Sequence, residues 1–246
     1  MLNGSFRRLA SILPRGFQDD CRRLRFCWRA RNNHFSPKEP EAEILDAVIA
    51  SGDWVLDIGA NVGEYALLLS KMVGPTGRVL AFEPVPATAA TLALICSKYA
   101  EFPNVSVLNL AASEQAKVEC FEIPIDAAGL PKYEQAHSSA TGSINVLGIA
   151  IDSLRLQHPI SLAKIDAEGD EEAILKGMRQ TIERDRPVLI IEDNCKAVPE
   201  MLRQFGYTVT KIEDHSPNVL YLPTNAVYAN IRSLLSARNS AGFPLN

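Results

Sequence analysis

Trp54-Val55-Leu56-Asp57-Ile58-Gly59-Ala60-Asn61-Val62-Gly63 reads as a buried strand ending in an acidic residue, then a turn of small residues, then a helix beginning near Glu64. Val55, Leu56 and Ile58 supply the apolar, partly β-branched strand. Gly59, Ala60 and Gly63 lack bulky side chains, so a bound ligand can approach the backbone closely. The helix that follows, Tyr65 to Ser70, directs its free N-terminal N–H groups toward the same place. This is the geometry of a nucleotide-type site.

Two further features narrow the ligand. A dinucleotide loop, G-x-G-x-x-G, needs three glycines to admit a pyrophosphate. Here the glycines are spaced Gly59-x-x-x-Gly63 and Asp57 stands at the strand end. A carboxylate there repels a pyrophosphate but suits a cation, such as the amino group of a methionine moiety. Glu83 closes a second apolar run, Arg78 to Pro84, twenty residues beyond Gly63, which suits a carboxylate reaching ribose hydroxyls from the neighbouring parallel strand. Either motif alone also fits a buried turn with a helix-capping Asp. Together they favour S-adenosylmethionine (AdoMet), held by Asp57, Gly59, Ala60, Asn61, Gly63 and Glu83, with Asn109 to Ala111 passing the adenine.

The sequence resembles FkbM-type methyltransferases in Asp57-Ile58-Gly59-Ala60-Asn61-Val62-Gly63, Phe82-Glu83-Pro84 and Lys164-Ile165-Asp166-Ala167-Glu168-Gly169-Asp170-Glu171. Ile151-Asp152-Ser153-Leu154, Leu175-Lys176-Gly177, Pro187 to Glu192 and Asn218 to Pro223 match as well, in the right order, across Pro37 to Thr224. The resemblance implies an AdoMet-dependent O-methyltransferase, often acting on a sugar or polyketide hydroxyl. It does not identify the acceptor.

At 246 residues, the chain is long enough for one substantial α/β domain without disulfide staples. With 47% hydrophobic and 22% charged residues it has the composition of an ordinary soluble protein. No apolar run is long enough to span a membrane and the N-terminus lacks a secretory core, so the cytoplasm is the expected location. Five cysteines without a C-x-x-C pair suggest free thiols. The net charge of −4 conceals an asymmetry: residues 1–36 hold eight arginines against two aspartates, a surplus of six positive charges, so the rest carries ten negative ones. In this basic arm Phe17, Cys21, Leu24 and Trp28 fall at helical spacing. The arm is read as partly helical, packing one apolar face on its own domain. Other readings are cover for the active site, a homodimer contact, or weak contact with an anionic lipid or phosphate-bearing acceptor. Nucleic acid is disfavoured by the acidic core.

After Pro37-Lys38-Glu39-Pro40 a helix is expected over Glu41 to Ala50. Strands then alternate with helices, predicting a doubly wound, mostly parallel seven-stranded sheet of the Rossmann-like methyltransferase type, closed by an antiparallel hairpin of Gly206–Ile212 with Val219–Leu222. Val118 to Ile123 alternates like an edge strand, and Ala127 to Ser143 has the composition of a mobile loop in which His137 is solvated. One helix is expected over Glu171 to Arg184. The arm covers residues 1–36, the domain 37–235, and 236–246 form a frayed tail.

Methyl transfer to an alcohol requires alignment and removal of a proton. Asp166 and Glu168 follow the fourth strand and Glu192, Asp193 and Asn194 the fifth, so both groups open onto one crevice. Asp166 and Glu168 are assigned acceptor deprotonation or positioning, with Glu192 in support. Asp166, Asp193 and Asn194 are candidate ligands for Mg2+. The same residues also fit helix-end and turn roles. The competing readings are an NAD(P)-binding oxidoreductase acting on the same fold and a non-catalytic AdoMet-binding or interaction protein.

Overall fold

The computed structural model of the chain describes residues 10–192, 195–211, 216–224 and 228. A helix α1 (Arg15–Arg31) and a 3-10 helix (Pro40–Ala47) precede the strand β1 (Trp54–Ile58). Then follow α2 (Glu64–Val73), β2 (Arg78–Phe82), α3 (Pro86–Tyr99), β3 (Val105–Leu108), β4 (Ala111–Ala112), β5 (Lys117–Glu122), β6 (His137–Ser138), β7 (Ile144–Ile149) and β8 (Ile160–Ile165). The chain continues through α4 (Glu171–Gly177), α5 (Arg179–Asp185), β9 (Val188–Glu192), α6 (Val198–Gln204), β10 (Tyr207–Lys211) and β11 (Asn218–Pro223).

The main sheet has seven strands in the order β10-β11-β9-β8-β1-β2-β3, with β11 antiparallel to both neighbours and the other pairs parallel. The expected doubly wound sheet and closing hairpin are therefore present. β1, β8 and β9 form its middle, and Val55, Leu56, Ala163, Ile165, Leu189 and Ile190 are buried there. Strands covered on both faces need apolar residues at consecutive positions, which explains their unbroken hydrophobic runs. The order reverses between β8 and β1, so a crevice opens at their C-terminal ends.

Three expectations change. The helix expected over Glu41–Ala50 is a 3-10 turn over Pro40–Ala47. The supposed mobile loop contains β6, and after it β7 pairs with β5 in a second sheet of order β4-β7-β5-β6. Short strands with one exposed face, such as Ile144–Ile149, carry too little periodicity to be told from loop. The helix expected over Glu171–Arg184 breaks at Met178, because Gly177 passes so close to Ser113 that a Cβ would lie 1.9 Å from its carbonyl oxygen. A second helix starts there because Asp152 accepts hydrogen bonds from Gln180 N (2.8 Å) and Thr181 N (2.9 Å). Asp152→Ala is expected to cost about 1–2 kcal/mol, the value of a lost helix cap, in urea denaturation.

The stripe Phe17, Cys21, Leu24 and Trp28 is also corrected. α1 forms, but these four residues are exposed. Phe26, on the opposite side, is the residue buried, against Phe35, Val62 and Ile95. The sequence pattern marked an amphipathic helix without revealing that a single phenylalanine ringed by arginines would dock it. Residues 1–9 and the tail 236–246 lie outside the described residues.

Candidate active site

β1 delivers Asp57 and the turn after it to the crevice. Asp57 is 1% exposed and its Oδ2 has no hydrogen-bond partner among the described residues. Burial pushes its carboxyl up to about 6, with Lys164 opposing and Asp166 adding to the shift. The turn is tightly determined. Gly59 has φ +79°, and a Cβ there would lie 1.8 Å from the Asp166 carbonyl oxygen. Gly63 also has positive φ, and its missing side chain leaves room for Leu92. Gly59 N and Ala60 N both donate to the Phe82 carbonyl (3.0 and 2.9 Å), tying the turn to the end of β2. Those two amides are therefore already used by the protein itself. Asn61 adopts φ +46°, and its buried Oδ1 has no partner among the described residues.

Glu83 follows β2 and is buried. Its two oxygens accept from Asn61 N and Val85 N, each at 2.9 Å, and burial pushes it up to about 7 against those two bonds. The carboxylate is thus fixed in orientation before any ligand arrives. Asn109 differs from expectation: it is exposed and its amide holds the Glu83 and Pro84 carbonyls (2.9 and 2.8 Å), while Ala111 lines the cavity. Its contribution is to the shape of the β2 end.

Across the crevice, the buried Lys164 donates to Asp166 Oδ2 at 2.8 Å and lies 4.7 Å from the Tyr65 ring. Burial alone would lower Lys164, but Asp166 and Asp57 outweigh it and raise it. One cation therefore serves two carboxylates. Asp166, Glu168 and Glu192 each place a carboxylate oxygen within 4.8 Å of the others'. Burial, then Asp166 and Glu168, push Glu192 up to about 7, and Glu192 shares a hydrogen bond with Asp166. Carboxylates this close repel one another, which favours the protonated form of Glu192. Asp193 and Asn194 lie outside the described residues.

These groups line one cavity of about 280 Å³, with Gly59, Asn61, Glu83, Ala111, Asp166, Glu168 and Glu192 on its wall. A smaller space of about 110 Å³ adjoins Asp57, Tyr65 and Lys164. Sequence reasoning missed Tyr133, Glu134 and Asn218, which complete the main wall. Tyr133 and Glu134 belong to the segment read as loop, where no periodicity marks them. Asn218 had a signal, a polar residue opening an apolar strand; its Nδ2 donates to the fully buried Glu41, which also accepts from Tyr65 Oη at 3.0 Å. His137 stands at the rim, its Nδ1 3.1 Å from the Gln135 carbonyl.

The seven-stranded sheet with a reversed hairpin, its acidic strand ends and its glycine turn define a Rossmann-like methyltransferase. The chain belongs to the FkbM methyltransferase family, whose domain profile matches residues 57–209. Among solved structures, methyltransferase FkbM from Methylobacillus flagellatus is 19% identical, with a TM-score of 0.50, covering 73% of this chain and 50% of that one. The chain thus spans half the length of that protein. A SAM-dependent methyltransferase from Aquifex aeolicus is 18% identical (TM-score 0.43; 74% of this chain, 86% of that one). Aeropyrum pernix fibrillarin, solved with natively bound S-adenosyl-L-methionine, is 15% identical (TM-score 0.46; 74% and 72%). No match is found among curated protein sequences. Among the described residues no helix is long and apolar enough to cross a membrane.

Proposed function

We propose that the chain transfers a methyl group from AdoMet to a hydroxyl of a small molecule or carbohydrate, with the paired carboxylates Asp166 and Glu192 removing the hydroxyl proton. The observation that carries this reading is the contact between those two carboxylates in the same cavity as the glycine turn and Glu83.

The residues fit the donor. The unpartnered, buried Asp57 Oδ2 is suited to an ammonium, and a pre-oriented Glu83 to ribose hydroxyls. Gly59, Ala60, Asn61 and Gly63 hold the turn between them, and Ala111 leaves flat space for a base. AdoMet, when bound, supplies an already activated methyl group, so the protein's task is alignment and proton removal. Lys164 keeps Asp166 oriented, Glu168 adds negative charge at the mouth, and Glu192 retains its proton until about pH 7.

Three carboxylates within 4.8 Å also suit a hard cation, and the buried Glu192 Oε2, with no hydrogen-bond partner among the described residues, would be free to coordinate it. Asp166, Glu168 and Glu192 would hold Mg2+, which would lower the hydroxyl pKa. A pH profile in EDTA and in Mg2+ separates the two versions. With Glu192 as base, the rate rises through about pH 7 in either buffer, and Glu192→Gln lowers kcat by about 100-fold or more. With Mg2+ required, EDTA abolishes turnover and the rise moves to lower pH. Mass spectrometry of a native extract incubated with enzyme and AdoMet identifies the acceptor from its added methyl group. A methylated amine or carboxyl product instead would overturn the hydroxyl assignment, and NAD(P)H turnover without methyl transfer would favour the oxidoreductase.

A further inference from the structure

Among the described residues, the outward face of α1 packs on no strand or helix, and its one ring contact is Trp28 with His34 at 5.9 Å. At 3.6 residues per turn, Phe17, Cys21, Leu24 and Trp28 lie in one stripe along the helix. Leu24 is 70% and Trp28 59% exposed, and Ile12 and Leu13 just before the helix are exposed as well. Large apolar side chains gathered on one surface helix mark an interaction face.

The opposite side fixes the helix in this orientation. Phe26 is buried, Arg22 lies 4.2 Å from the Tyr133 ring and donates to Thr88 Oγ1 at 3.3 Å, and Arg29 pairs with Glu64 at 2.5 Å. Asp19 accepts from Tyr133 Oη at 2.5 Å. Rolling the helix to bury the stripe would break all of these contacts. The stripe therefore faces outward as a consequence of how α1 is docked.

Charge identifies the occupant. Arg25 and Arg31 are exposed and flank the stripe on either side, and Asp20 beside it is paired with Arg23 at 3.1 Å. An apolar row bordered by arginines matches a helix lying in the headgroup layer of an anionic bilayer, with aromatic and leucine side chains inserted and guanidinium groups at phosphate level. The residues after 36 carry ten net negative charges, so an anionic surface attracts this helix and repels the rest of the chain. Isologous pairing would set two copies of this net-positive helix face to face, which like-charge repulsion opposes. We infer that α1 docks the protein on anionic lipid through Phe17, Leu24 and Trp28. The inference is independent of methyl transfer.

Co-sedimentation of the full chain with phosphatidylcholine vesicles, with and without phosphatidylglycerol, tests it. Binding is expected only to the anionic vesicles, weakening as salt rises. The emission of Trp28 should shift to the blue on binding, whereas Trp54, stacked on His158 at 4.4 Å, should not respond. Leu24→Ser and Trp28→Ser should each lower partitioning by about tenfold, and Arg25→Gln or Arg31→Gln by about fivefold. Leu24, Trp28 and Arg31 are exposed, so their variants should melt with the parent, which confirms that folded proteins are compared; Arg25 also lies 4.7 Å from the Phe26 ring, so Arg31→Gln is the charge variant that leaves the docking contacts intact. No binding to anionic vesicles at low salt, or binding that the serine variants leave unchanged, would overturn the inference. So would a dimer in ultracentrifugation that Leu24→Ser dissociates, since the stripe would then belong to a second copy.

Discussion

Asp57→Asn is expected to weaken AdoMet binding by about 100-fold at neutral pH and to remove the pH dependence that centres near 6. Asp57 is fully enclosed, and its Oδ2 has no partner among the described residues. Breaking a buried charge pair typically costs about 3–5 kcal/mol, and the low end of that range corresponds to about 100-fold. Burial raises the carboxyl to about 6, so ionised Asp57 is available to an ammonium above that pH and lost below it. Affinity of the parent should therefore fall as pH drops through about 6, whereas the asparagine variant should lose that step in calorimetry and keep only the change near 7 set by Glu83.

Stability should respond in the opposite sense. The folded pKa lies above the ordinary aspartate value, so the folded chain binds more protons than the unfolded one between about pH 4 and 6. Asp57 then costs stability increasingly across that window, and the full cost is present above it. Asn removes this cost, while Lys164 retains Asp166 at 2.8 Å. A variant that binds AdoMet weakly yet melts no lower than the parent at neutral pH would mark Asp57 as a ligand-binding residue. Undiminished affinity would remove it from the donor site.

Gly59→Ala should be the most damaging single methyl group in the chain. The added Cβ would lie 1.8 Å from the Asp166 carbonyl oxygen, and its nearest neighbours are all Asp166 backbone atoms with no flexible side chain to yield. Positive φ adds roughly 1–2 kcal/mol of strain and overpacking about 1–3 kcal/mol, so about 2–5 kcal/mol is expected in denaturant unfolding. Gly169→Ala is the control. Gly169 also has positive φ, but a Cβ there meets nothing within 4 Å, so only the strain of about 1–2 kcal/mol should appear. Equal losses at the two positions would refute the packing argument. Because Gly59 joins the turn after β1 to the residue after β8, its loss should also separate Asp57 from Asp166 and reduce methyl transfer beyond the loss of stability.

Much of the proposed site was legible because its proposed donor half is encoded within short stretches. A strand, a glycine turn and an acidic strand end are local features, and Asp57, Gly59, Gly63 and Glu83 each announce themselves by type and spacing. The Asp166 and Glu168 pair is legible for the same reason, following an apolar strand directly. Asn109 shows the limit: its position at a strand end was readable, but its side chain turned to the Glu83 and Pro84 carbonyls, a choice set by neighbours distant in sequence.

What the sequence determined by itself is the alternation of buried strands and helices, and with it the parallel sheet, the reversed hairpin and the turn after Trp54–Ile58, because hydrophobic period and glycine placement act over a few residues. Tertiary structure alone decided the contact of Asp166 with Glu192, the wall formed by Tyr133, Glu134 and Asn218, and the outward face of α1. Those depend on contacts between residues far apart in the chain, where burial raises a carboxyl, Phe26 together with Arg22, Arg29 and Asp19 orients a whole helix, and no local pattern records either outcome.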